Sequence, residues 1–114
     1  AYHIHVDMRY NSISTVSPYS FYFGPSVTDI TILLDFNRIK QIKEATFKFS
    51  SSSVSVAIGL SNNEMNQIPS SAFKFHPISY SISLDFGYNE IENVPLNAFN
   101  FLPSFCSFYL RAPS

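Results

Sequence analysis

The chain has 114 residues, a net charge of −1, only 13% charged residues, and no tryptophan beside its 12 Phe and 7 Tyr. That balance excludes the clustered lysine and arginine that neutralise phosphates, so no nucleic-acid partner is expected, and no apolar run is long enough to span a membrane. A single cysteine, Cys106, excludes an internal disulfide and reads as a small buried apolar residue. The chain begins at Ala1, as a processed or excised segment would.

In chain order, the first 26 residues set a pattern that the rest repeats. Ile4, Val6 and Met8 alternate with polar residues and lead to Asn11; Ile13 and Val16 follow, then Phe21 and Phe23. The second copy carries Ile30, Ile32, Leu34, Asn37, Ile39, Ile42, Phe47 and Phe49 at the same offsets. The third carries Val56, Ile58, Leu60, Asn63, Met65, Ile68, Phe73 and Phe75, and the fourth Ile82, Leu84, Phe86, Asn89, Ile91, Val94, Phe99 and Phe101. The last ten residues restart the frame, with Phe108, Leu110 and Ala112 in the columns of Ile4, Val6 and Met8. A fixed period of this size predicts stacked coils, a solenoid of about four turns plus a terminal strand, with residues 1–114 as one unit.

Within each copy the residues before the Asn alternate and are rich in β-branched types, which predicts one strand per coil with Ile, Val and Leu facing inward. Strands repeated in one direction predict a parallel sheet. The amides of Asn11, Asn37, Asn63 and Asn89 both donate and accept, so they suit a ladder that satisfies the main chain where each strand turns away. Phe21, Phe47, Phe73 and Phe99 predict a spine filling the interior beside that ladder. Gly24-Pro25, Ser50-Ser51, His76-Pro77 and Leu102-Pro103 predict the return turns.

In the third copy these residues read Ile58-Gly59-Leu60-Ser61-Asn62-Asn63-Glu64-Met65-Asn66-Gln67-Ile68-Pro69, followed by Ser70-Ser71-Ala72-Phe73. This resembles the leucine-rich repeat of the typical extracellular class, lengthened by about two residues per repeat. The Phe-rich wording is also similar to arthropod secreted repeats, such as those of the non-catalytic subunit of a shrimp luciferin monooxygenase. The resemblance implies an α/β-type solenoid with a parallel β-sheet on one face and turns or short 3-10 segments on the other, and a secreted or extracellular location. The cysteine-rich caps of that family are absent from both ends. A plain parallel β-helix shares the stacking but has no need of Ala-Phe at that offset.

In that family the outward strand residues line a concave binding face. Here the corresponding candidates are Asp7, Arg9, Leu33, Asp35, Ser61 and Asp85, with Tyr10, Phe36 and Tyr88 rimming the face where the strands end. Small Ser, Gly and Ala columns also serve simply to let strands stack. His3 and His5 point the same way from a strand, a zinc-compatible spacing, but only Asp29 is near as a third ligand, so no metal is expected. No nucleophile elbow and no phosphate loop occurs, so no catalytic residue, cofactor or enzymatic activity is expected. Charge varies along the copies: Arg38, Lys40, Lys43 and Lys48 fall in the second, Glu90 and Glu92 in the fourth.

Both terminal segments predict apolar strands with an open edge, and such an edge is a template for pairing. The expected partners are therefore adjoining repeats of a longer array, or copies of the chain stacking end to end into a filament. The alternative is an accessory subunit that binds a ligand or an enzyme through its concave face.

Overall fold

The computed structural model describes residues 2–18, 20–24, 26–44, 46–49, 55–68, 72–74, 81–91 and 107–111. In chain order these hold ten strands: β1 (Tyr2–Asp7), β2 (Thr15–Val16), β3 (Phe21–Phe23), β4 (Val27–Leu33), β5 (Gln41–Ile42), β6 (Phe47–Phe49), β7 (Ser55–Gly59), β8 (Phe73–Lys74), β9 (Ser81–Asp85) and β10 (Ser107–Arg111). Among the described residues there is no helix, so of the α/β expectation they show the parallel strands and not the α part.

The longest strands form one five-stranded sheet in the order β1-β4-β7-β9-β10, and every pairing is parallel. Its register joins Ile4 to Ile30, Ile30 to Val56, Val56 to Ile82, and Ile82 to Phe108. Alternation decides which side is buried. Ile30, Ile32, Val56, Ile58, Ile82 and Leu84 are buried, while the residues between them lie toward the other face.

Where turns or short 3-10 segments are expected opposite this sheet, the described residues form two more parallel sheets, β2-β5 and β3-β6-β8. The reason lies in the Phe-x-Phe wording. Residues two apart on a strand share a face, so Phe21 and Phe23 both pack on the core while Tyr22 stands out in solvent. Phe21 stacks on Phe47 (centroids 5.2 Å, planes 7° apart) and Phe47 on Phe73 (5.1 Å, 5°). Phe73 then meets Phe86 edge-on at 5.8 Å, tying this file to the residues that follow β9. Phe99, Phe75, Phe101 and Cys106 lie outside the described residues.

At 43–46 the Thr46 hydroxyl donates to Lys43 O (2.7 Å) and accepts from Lys43 N–H (2.9 Å); at 17–20 the Ser20 hydroxyl donates to Ser17 O (2.7 Å).

The four asparagines sit where the sheet ends. Asn63 Oδ1 accepts from Ile39 N–H (3.0 Å), and its Nδ2 donates to Leu34 O, Leu60 O and Ser61 O (each 3.1 Å). Asn37 makes the matching set with Ile13, Met8, Leu34 and Asp35, and Asn89 with Met65, Leu60, Phe86 and Gly87. Among the described residues Asn11 bonds only within its own turn, to Met8 O (2.9 Å) and Arg9 O (3.1 Å).

Candidate functional site

At each strand exit, the residue before the Asn adopts a left-handed backbone: Tyr10 (φ 58°), Phe36 (60°), Asn62 (54°) and Tyr88 (57°). A side chain with a Cβ pays about 1–2 kcal/mol there, and Asn is among the few types that tolerate it. The main chain holds them in place through Tyr10 N–H to Asp35 O (3.3 Å), Phe36 N–H to Ser61 O (3.1 Å) and Asn62 N–H to Gly87 O (2.9 Å). Three of the four positions therefore carry aromatic rings at a backbone cost, and all three rings are exposed, Tyr10 at 71%. Tyr10 and Phe36 stack with centroids 4.7 Å apart and planes 12° apart.

The polar candidates divide into two groups. Asp7 and Arg9 stay on the surface as a bidentate pair, with Arg9 Nε to Oδ1 at 2.9 Å and Arg9 Nη2 to Oδ2 at 2.8 Å. The guanidinium's hydrogen bonds hold the Asp7 carboxyl down to about 2, and the carboxylate in turn raises Arg9.

Asp35 and Ser61 are expected on the open face, yet both are buried. Asp35 Oδ2 accepts from Ser61 N–H (3.0 Å) and from the Ser61 hydroxyl (2.6 Å), so the carboxylate is drawn down over the neighbouring strand. Gly59 makes room for it, since a Cβ at that position would collide with Asp35 Oδ1. Asp85 remains half-buried and accepts from Gly87 N–H at 2.9 Å.

These residues surround an open groove of about 350 Å³, bounded by Arg9, Leu33, Asp35, Phe36, Ser61 and Asp85, with Gly59 and Ala57 in its floor. Tyr10 and Tyr88 stand outside this groove wall. His3 and Asp29 contact each other at 2.8 Å on the far part of the sheet. Among the described residues no group of three or more His, Cys, Asp or Glu is arranged to hold a metal ion. Nor is any helix there long and apolar enough to cross a membrane.

Two contributors were not singled out from sequence. In sequence Gly59 reads as a small stacking residue, although a lone glycine inside a strand pattern signals close approach by a neighbour. Asn62 stands in the repeat frame of the third copy with no role assigned to it. Its place in the column of Tyr10, Phe36 and Tyr88 was the available sign of a left-handed position. No family model, no curated protein and no solved structure matches the chain.

Proposed function

We propose that residues 1–114 are a leucine-rich-repeat solenoid segment, extracellular and non-enzymatic, that works by protein–protein contact. Its contact surfaces are the two edges of the five-stranded sheet. In an adjoining array β1 and β10 would meet further repeats; in the 114-residue chain alone they would meet other copies, building oligomers or filaments.

One observation carries this reading: columns that are buried inside the molecule are open beside β1. Met8 is 38% exposed, whereas Leu34 in the same column is 1% exposed. Ile13 and Phe21 are half-buried, whereas Ile39 and Phe47 are fully buried. Met8, Ile13, Val16 and Phe21 line a largely apolar recess of about 280 Å³ with Leu34 at its base. In the interior, the side chains that close the equivalent space come from the same columns of the preceding strand and turn. A further repeat is thus the occupant of matching shape, and exposed apolar surface of this kind marks interaction sites.

The backbone points the same way. Met8 N–H donates to Leu33 O (2.9 Å) and Leu34 N–H to Gly59 O (2.8 Å), so this column's main-chain groups face the next strand. Alternation then turns those of His5 and Asp7 outward, along the edge. His5→Pro removes one outward donor while leaving the pairing with β4 in place. Light scattering at micromolar concentration is expected to give a mass well above 12.9 kDa for the wild type and a shift toward the monomer for His5→Pro. A wild-type chain that stays monomeric would remove this reading.

A second reading is supported by the exposed rings of Tyr10, Phe36 and Tyr88 beside the groove: an accessory subunit that binds a ligand or enzyme through its open face. Replacing the three rings separates the two readings. Loss of partner binding with unchanged oligomer size favours the second.

A further inference from the structure

The strongest chemical signal outside the sheet edges is the meeting of a deep carboxylate with an incomplete file of rings. Asp35 is 9% exposed, and both of its hydrogen bonds, from Ser61, fall on Oδ2. Oδ1 lies over Gly59 and accepts from none of the described residues. Every fully enclosed side-chain oxygen among the described residues has a partner, so Oδ1 opens into the groove. Two neutral donors on one oxygen hold the carboxylate in place without neutralising its charge. Arg9 lines the same groove and its charge is felt by Asp35, but its guanidinium is bound on two atoms by Asp7 and makes no hydrogen bond to Asp35 among the described residues.

Phe36 stands immediately beside this carboxylate. Tyr10 covers one face of its ring at 4.7 Å. The other face looks along the file toward Asn62, where the regular spacing has no ring. Asn62 is half-buried, and its amide is turned onto the Ser61 hydroxyl (3.3 Å). Phe36 and Tyr88 are thus two strand steps apart, roughly 10 Å, with one planar position left out between them.

We propose that this notch is a guanidinium site and takes an arginine side chain of a protein partner. The flat cation stacks on the open face of Phe36, above Asn62, and its in-plane N–H groups donate to Asp35 Oδ1. Stacking on one side and donating at the edge requires a planar cation, which arginine has and lysine lacks. Asp85 on the groove wall adds negative potential of the same sign. A phosphate-bearing base would meet two carboxylates, and a neutral sugar would leave the charge of Asp35 uncompensated. This inference rests on the open-face reading of function and is independent of pairing at the sheet edges.

The test uses the full chain and three short capped peptides that differ at one residue: arginine, its neutral isostere citrulline, or lysine. Binding is followed through the amide resonances of Asp35, Phe36 and Asn62 at millimolar peptide. The arginine peptide is expected to shift all three saturably, and the citrulline and lysine peptides to bind at least about tenfold more weakly. Asn62→Tyr supplies the missing ring at a backbone position that already accepts Tyr10 and Tyr88, so it is expected to keep the fold and abolish the shifts. Asp35→Asn is expected to weaken binding at least about tenfold, because charge assistance is lost. Equal binding of arginine and citrulline would overturn the guanidinium assignment while leaving the open-face reading intact. Unchanged binding to a folded Asn62→Tyr chain, or no binding of arginine to the wild type, would overturn it as well.

Discussion

The first and third copies of the repeat share their apolar frame and their asparagine, but the third has a strand on each side and the first has one. Asn63 bonds to its own turn and to Leu34 and Ile39 in the preceding copy, whereas Asn11, among the described residues, bonds only to its own turn. Met8 is exposed and Ile13 half-buried, whereas Leu60 and Met65 are buried. The ladder reaches in one direction only: each inner Asn carboxamide bonds back toward the earlier copy. A column position therefore carries little stability by itself and gains it from the neighbour that it reaches.

The largest test of this difference lies in the ring file. Phe47 is enclosed between Phe21 and Phe73, so Phe47→Ala is expected to cost about 3–5 kcal/mol. Phe21→Ala, with one stacked neighbour and partial burial, is expected to cost roughly 1–2 kcal/mol. Urea melts of the two variants check the ratio, and equal losses would mean that the second neighbour adds nothing.

Next comes the amide ladder. Asn63→Ala strands buried main-chain groups and is expected to cost about 1–3 kcal/mol. Asn11→Ala leaves exposed groups to water and is expected to stay within about 0.5 kcal/mol. Glycine offers a third contrast. Gly59→Ala forces a methyl group into the carboxylate of Asp35 and is expected to cost about 1–3 kcal/mol. Gly24→Ala meets nothing within 4 Å and is expected to change stability by less than about 0.5 kcal/mol.

The smallest effect belongs to the surface pair of the first copy. Arg9 lowers the Asp7 carboxyl from 3.8 to about 2. A lowered value in the folded state means that the pair contributes above pH 3.8, and that its contribution is lost as the pH falls through 2. The pair is exposed, so its share of stability is slight and weakened by salt. In an NMR titration Arg9→Ala is expected to return the Asp7 midpoint toward 3.8; an unmoved midpoint would break the pairing.

What could be read in the chain was whatever depends on period alone. The phase of β4, β7 and β9 follows from Ile30-Thr31-Ile32 and its equivalents, because alternation with period two assigns each side chain to a face without any knowledge of its neighbours. The parallel sheet follows from repeating that phase in one direction. The short sheets of β2-β5 and β3-β6-β8 were less legible, since two or three residues carry too little pattern to separate a strand from a turn. The site was the least legible part. Alternation places Asp35 outward, and only its hydrogen bonds to Ser61 across the strand pair, together with the missing side chain of Gly59, draw it under cover. Nothing in Tyr10, Phe36 or Tyr88 announces a positive φ, because aromatic residues are poor choices there.

The central claim is that the edge beside β1 is a contact surface that differs from the interior only in lacking its neighbour. Amide hydrogen exchange at several protein concentrations tests it directly. Protection of the His5 and Asp7 amides is expected to rise with concentration as copies meet at that edge, while protection of Thr31 and Ala57, already inside the sheet, stays constant. Rapid exchange of His5 and Asp7 at every concentration would contradict it.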